Sequence, residues 1–185
     1  MRYSPILLAL AVLGVSPAAE ATEFNSAYTD LNLDDCTVMS SDDLGSTWAC
    51  PGYKGYPLQI AEGDLRFFVS YGFNAGEERA AEQTPPPFNY LGAKMEWRLG
   101  DASGGWKPVA TIVRYFVSMG EGEKESQVLV VTQLVPGATC HIAYIDATAN
   151  PDANALAQKA ADTMTPDFDC ANDPEIIGDF AAWER

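Results

Sequence analysis

Four cysteines, Cys36, Cys50, Cys140 and Cys170, constrain this chain more than any other feature, because their pairing decides which distant segments are fastened together. All four follow an N-terminal stretch that reads as a secretory leader. Met1-Arg2 supplies a positive charge, Ile6 to Val15 an apolar run, and Ala19-Glu20-Ala21 a small-residue cleavage site. The expectation is export, with cleavage after Ala21 and a single α+β domain over residues 22–185. An apolar run of about ten residues is too short for a spanning helix, which needs roughly 20. Nothing later in the chain is apolar for long enough to span a membrane, and no cysteine stands directly after the run to carry lipid. An even cysteine count in an oxidising compartment implies two disulfides out of three possible connectivities. Local closure favours Cys36–Cys50 and Cys140–Cys170. Zinc does not fit, since there is no C-x-x-C pair and His141 is the one histidine.

The formal net charge is −15, and loss of the leader leaves it unchanged because Arg2 and Glu20 depart together. Such an excess repels nucleic-acid phosphates and anionic membranes and attracts cations and cationic proteins. Nucleic acid is therefore excluded as a partner. Solubility of an exported protein explains the acidity equally well.

The stretch Cys50 to Gly72 gathers the most signals. Tyr53-Lys54-Gly55-Tyr56-Pro57 crowds aromatic rings beside residues that bend the backbone, which makes Tyr53, Lys54 and Tyr56 candidate binding residues. Pro57 to Ala61 and Leu65 to Tyr71 read as a β-hairpin turning at Glu62-Gly63-Asp64. Arg66 and Asp64 are further binding candidates, and an ion pair of Arg66 with Glu62 or Asp64 is the structural alternative.

Upstream, residues 24–36 read as an edge strand or extended arm. Asp30, Asn32 and Asp34 also resemble the opening of a calcium loop, but the glycine and the bidentate glutamate that such a loop needs are missing. Residues 40–46 read as loop, and Thr47 to Cys50 as a short strand. Residues 72–87, ending in Pro85-Pro86-Pro87, read as a long polar surface loop stiffened into a spacer.

Downstream, Met95, Trp97 and Leu99 alternate with Lys94, Glu96 and Arg98, as in a half-buried strand. The segments 106–118 and 127–135 are apolar on both faces, as central strands are. Arg114 interrupts the first, sharing a face with Ile112 and Phe116, and is expected to meet a carboxylate either as structure or as the floor of a site. Residues 100–105 and 120–125 read as turns, the second acidic. Thr139 to Asp146 is a further strand with Cys140, Ile142 and Tyr144 on one side. Asn150 then caps a helix over 154–164, with Pro151 in its first turn and Pro166 after its end. The tail carries Ile176, Ile177, Phe180 and Trp183, enough apolar area to dock. The predicted fold is thus α+β: one antiparallel sheet of about six strands, one helix from the C-terminal half on a face, and two disulfides.

Catalytic signals are weak. His141 adjoins Cys140, but strand neighbours point to opposite faces and the cysteine is expected to be oxidised. No G-x-S-x-G motif, phosphate loop or metal cluster is present, so no cofactor or metal is expected. The pair Glu62 and Asp64 has the residue types a glycosidase uses.

The string C-P-G-x-x-G-Y-P-x-x-x-x-E-G-D-L-R, here Cys50 to Arg66, resembles a family of small exported proteobacterial proteins of unknown function. The resemblance extends to Thr139 to Tyr144 and to Asn150 to Asn154, and it implies a periplasmic location. The functional expectation is a non-enzymatic binding or inhibitor-like protein acting on a cationic periplasmic partner such as a lysozyme-like enzyme. The alternatives are a carboxylate-dependent hydrolase of cell-envelope material and an envelope accessory protein.

Overall fold

The computed structural model describes residues 22–101, 105–118, 120, 122 and 124–182. The expected leader at 1–21, residues 102–104 of one turn, Glu121 and Glu123 of the acidic turn, and Trp183 lie outside the described residues. Among the described residues, ten strands and one α-helix follow in order: β1 (Glu23–Asp30), β2 (Thr37–Asp42), β3 (Gly45–Pro51), β4 (Pro57–Gly63), β5 (Arg66–Tyr71), β6 (Phe88–Asp101), β7 (Lys107–Ser118), β8 (Ser126–Gln133), β9 (Cys140–Asp146), α1 (Ala153–Met164) and β10 (Glu175–Ile176).

These strands form two sheets, not one. Six lie in the order β1-β6-β7-β8-β9-β10, antiparallel except for the β9–β10 pair, and four form an antiparallel meander β2-β3-β4-β5. The second sheet arises because residues 40–46, expected as loop, are the end of β2, a two-residue turn and the start of β3. Asp42 Oδ1 accepts from the amides of Leu44 and Gly45 and folds β2 back onto β3. Every residue of β2 is exposed, so it lacks the apolar alternation by which a strand is recognised.

The alternation of β6 decides the layering. Met95, Trp97 and Leu99 turn toward the four-stranded sheet and join Leu58, Ile60, Val69 and Tyr71 in one core. On the opposite face of the six-stranded sheet, Ala110, Ile112, Leu129, Val131 and Ile142 pack with Ala153, Ala157, Ala160 and Ala161 of α1. Both central strands β7 and β8 are thereby covered on two sides, which explains their continuous apolar runs. The polar face of β6 is also under the helix. Arg98 is 7% exposed and donates from Nε and Nη2 to Asp162 of α1 at 2.9 and 2.6 Å, with Ser26 Oγ completing its shell.

Trp97 is fully buried, and three tyrosines pack around its indole: Tyr56 at 5.7 Å, Tyr71 at 6.0 Å and Tyr53 at 6.3 Å between ring centroids. Its Nε1 donates to Thr29 Oγ1 of β1 at 2.9 Å. Gly52 lies so close that a Cβ there would stand 2.6 Å from the indole and 2.5 Å from the Tyr56 carbonyl oxygen.

Both favoured disulfides form. Cys36–Cys50 ties the segment after β1 to β3, and Cys140–Cys170 ties the start of β9 to the chain beyond α1. Such cross-links suit an oxidising compartment. No helix among the described residues is long and apolar enough to cross a membrane.

Three local expectations change. The segment 72–87 is not a spacer. Two 3-10 turns, Ala75–Glu77 and Arg79–Glu82, bury Ala75 and Ala80 and seal the free edge of β9: the Ala80 amide donates to Thr139 O, and Gln83 Oε1 accepts from the His141 amide. In β9 a register shift opposite Val131 and Thr132 leaves Ile142 as an extra residue, so Tyr144 enters the tryptophan core while Cys140 and Ile142 face the helix. The helix begins at Ala153 with Asp152 as its N-cap. Asn150 instead uses its side-chain amide to tie the end of β9 to the tail, donating to Asp146 O and Asp179 O and accepting from the Asp179 amide. The tail docks as expected, through β10 alongside β9 and through Ile177 and Phe180 against the two cores.

The Gly52 contact gives a direct test. Gly52→Ala should lower unfolding stability in urea by about 1–3 kcal/mol through overpacking. Gly105→Ala, where a Cβ meets nothing within 4 Å, should change it by less than about 0.5 kcal/mol.

Candidate functional site

The loop between β3 and β4 is a tight turn with Lys54 at φ 50° and Gly55 at φ 80°. The Gly52 amide donates to Tyr56 O and the Tyr56 amide to Tyr53 O, closing it on itself. Pinned by Trp97 beneath and by Cys50 beside it, this turn holds Tyr53 and Tyr56 half-buried at the wall of a cleft of about 650 Å³. The end of β5 supplies a second wall. Gly72, at φ 95°, turns the chain so that Phe73 stands 97% exposed at the rim. Trp106 and Pro108, at the start of β7, and Pro136, Gly137 and Thr139, between β8 and β9, close the remaining side.

The cleft is aromatic and carries more negative than positive charge. Glu77 and Glu78 line it, against Lys54 as the one cation among its described lining residues. Glu78 is 8% exposed, and its carboxylate accepts from the Gly137 amide at 2.7 Å and the Thr139 amide at 3.0 Å. That pair of charge-assisted bonds fixes the far wall to the 72–83 segment. Burial, followed by the charge on Glu78, raises the Tyr56 phenol above its usual pKa, so Tyr56 is a neutral hydroxyl at ordinary pH. Lys54 Nζ lies over the Tyr53 ring, 5.2 Å from its centroid.

The six binding candidates from the sequence separate into three places. Tyr53, Lys54 and Tyr56 come together in the cleft. Asp64 and Arg66 sit at the β4–β5 turn, joined by a 2.9 Å ion pair, at the other end of β4 from Tyr56. Arg114 lies on the helix side of the six-stranded sheet. It does not meet the expected carboxylate. It donates to Gln127 Oε1 at 2.8 Å and to Asn154 Oδ1 at 3.3 Å, because its neighbours on β8 and α1 are amides. Half-buried among neutral acceptors, its guanidinium is drawn below its usual pKa by burial.

Sequence reasoning missed Phe73, Glu77, Glu78 and Trp106. An aromatic residue directly after Gly72 at a strand end was the available signal for Phe73. The others depend on long-range packing. A second, shallower groove of about 410 Å³ lies among Trp48, Leu65, Phe67, Phe88, Tyr90 and Phe116, with Glu62 at its side. There Tyr90 and Phe116 stack at 4.8 Å, and the Tyr90 hydroxyl donates to Glu125.

His141 lies in neither cavity. It is 1% exposed, shares a 2.8 Å hydrogen bond between Nδ1 and the Tyr144 hydroxyl, and burial pushes its pKa from 6.5 down to about 3. Neutral and sealed, it is a packing residue of β9. Asp30, of the calcium-like string, is ion-paired with Lys94, and Asn32 Oδ1 accepts from the Asp34 amide to cap the turn at Leu33–Asp35.

Compared with known proteins, the chain matches no family model, no curated protein and no solved structure.

Two outcomes follow from this geometry. Because the folded state holds His141 neutral, its contribution is complete above pH 6.5 and is lost as pH falls from there toward 3. Unfolding free energies from urea titrations across that window should fall with a slope of up to ~1.4 kcal/mol per pH unit from this group, and His141→Asn should flatten the profile. Glu78→Ala should cost ~1–3 kcal/mol by stranding the buried Thr139 amide and releasing the Gly137 amide and should speed hydrogen exchange at 137–139, whereas Glu78→Gln should show smaller changes in both.

Proposed function

We propose that this protein is a non-enzymatic binding protein, inhibitor-like in character, which takes a cationic partner protein such as a lysozyme-like enzyme on the face carrying Tyr53, Tyr56 and Phe73. The observation that carries this reading is Phe73, 97% exposed beside an aromatic cleft on a chain of net charge −15. A large ring in water next to an apolar hollow is costly for solubility and is characteristic of an interaction surface. The disulfide Cys36–Cys50 and the Trp97 packing hold the turn in one shape, which keeps the ordering cost of association low. Acidic surroundings speed the encounter with a basic protein. The leader, the two disulfides and the resemblance over Cys50 to Arg66 support a periplasmic setting for that encounter.

The hydrolase reading draws less support. Asp64 is 78% exposed at its side chain and held by Arg66, while Glu62 borders the second groove and His141 is enclosed. An envelope accessory role would use the same aromatic face with a different partner.

The test is binding of the oxidised protein to a cationic lysozyme, followed by calorimetry at low and at physiological salt. Phe73→Ala and Tyr56→Ala should each weaken binding about tenfold or more, as truncation of an interface anchor does. Tyr90→Ala in the second groove should leave it unchanged. Complete loss of binding at physiological salt, or equal binding by all variants, would mean nonspecific charge attraction and would overturn the reading.

A further inference from the structure

We infer that the cleft is an aromatic cage for an organic ammonium group. This rests on the binding reading above and names the chemistry the cleft accepts: an alkylammonium, presented either by a lysine of the partner protein or by a free small molecule. Aromatic faces carry partial negative charge and attract cations placed within about 6 Å of the ring centroid. Tyr53, Tyr56, Phe73 and Trp106 supply four rings around one hollow, and Glu77 and Glu78 add full negative charges to its wall. A cage of rings with carboxylates beside them favours a cation over a neutral group of equal shape, because a neutral group gains only apolar contact.

The cleft already shows the interaction in miniature. The ammonium of Lys54 lies 5.2 Å from the centroid of Tyr53. Lys54 itself is exposed, on backbone at φ 50°, so it reaches the ring from the rim and leaves the hollow open. It is therefore a resident competitor: an incoming ammonium meets its repulsion and displaces it from Tyr53. The volume of about 650 Å³ falls within the range of small-ligand pockets and accommodates a head group with its alkyl stem. Glu78 is committed to the Gly137 and Thr139 amides, so the exposed Glu77 is the carboxylate free to approach the ligand.

The experiment titrates the oxidised protein with choline, n-butylammonium and the neutral choline-shaped alcohol 3,3-dimethylbutan-1-ol, by calorimetry and by NMR of the tryptophan side chains. Both ammonium compounds should bind about fivefold or more tighter than the alcohol. Trp106→Leu, which keeps apolar area but removes the ring, should erase that preference, and Glu77→Gln should reduce it. Lys54→Asn, which suits the left-handed backbone, should tighten ammonium binding severalfold. Equal binding of alcohol and ammonium, or no ammonium binding even to the Lys54→Asn protein, overturns the cage. Lysozyme binding without ammonium preference would leave the protein-binding reading intact while removing the cage. Ammonium binding without lysozyme binding would do the reverse and assign the cage to a free molecule. Competition between n-butylammonium and bound lysozyme would assign it to a partner lysine.

Discussion

The packing of Tyr53, Tyr56 and Tyr71 around the buried indole of Trp97 is the contact on which the rest of the molecule depends. It joins three things that are separate in the chain. The indole belongs to β6 of the six-stranded sheet, Tyr71 to β5 of the four-stranded sheet, and Tyr53 and Tyr56 to the turn that walls the cleft. The sheets are thus registered against each other by the same rings that shape the site. Gly52 is the residue that permits it, since no side chain fits between the turn and the indole. Trp97 and Tyr71 are fully buried in this packing and Tyr53 and Tyr56 half-buried, which removes apolar ring area from water on folding.

On the other side of the cleft the control is polar. Glu78 gathers the amides of Gly137 and Thr139 and so couples the 72–83 segment to the β8–β9 connection, close to the disulfide Cys140–Cys170. One wall is held by aromatic packing and one by a buried carboxylate, each next to a covalent cross-link. A cleft braced in this way is preformed, which is why an exposed Phe73 at its rim reads as a contact point rather than as a packing failure.

Much of this was legible in the residues, for identifiable reasons. Short loop closure marked both disulfides. Strict alternation marked 94–99, two-sided apolar runs marked β7 and β8, and helical spacing with a following proline marked α1. The crowding of Tyr53 and Tyr56 among Gly52, Gly55 and Pro57 pointed to the turn that forms part of the cleft. What escaped was whatever local sequence does not encode. The exposed β2 carries no apolar alternation, so the second sheet was invisible. Residues 72–87 are polar in composition, yet Glu78, Ala80 and Gln83 act through partners about sixty residues away. The extra residue Ile142 in β9 reversed the face of Tyr144, because a period of two fails after a bulge. Arg114 met amides because the charge of a neighbour across strands cannot be read from its own strand.

The proposed binding role requires that partners be engaged by the cleft built over Trp97 and not by the diffuse negative surface. Hydrogen–deuterium exchange of the complex with a cationic lysozyme tests it most directly, since it reports where the partner sits without any substitution. Protection on binding should concentrate in residues 52–57, 72–78 and 106–109, which border the cleft. Protection confined to β1, β2 or the β4–β5 turn, or spread evenly over the acidic surface, would contradict the claim.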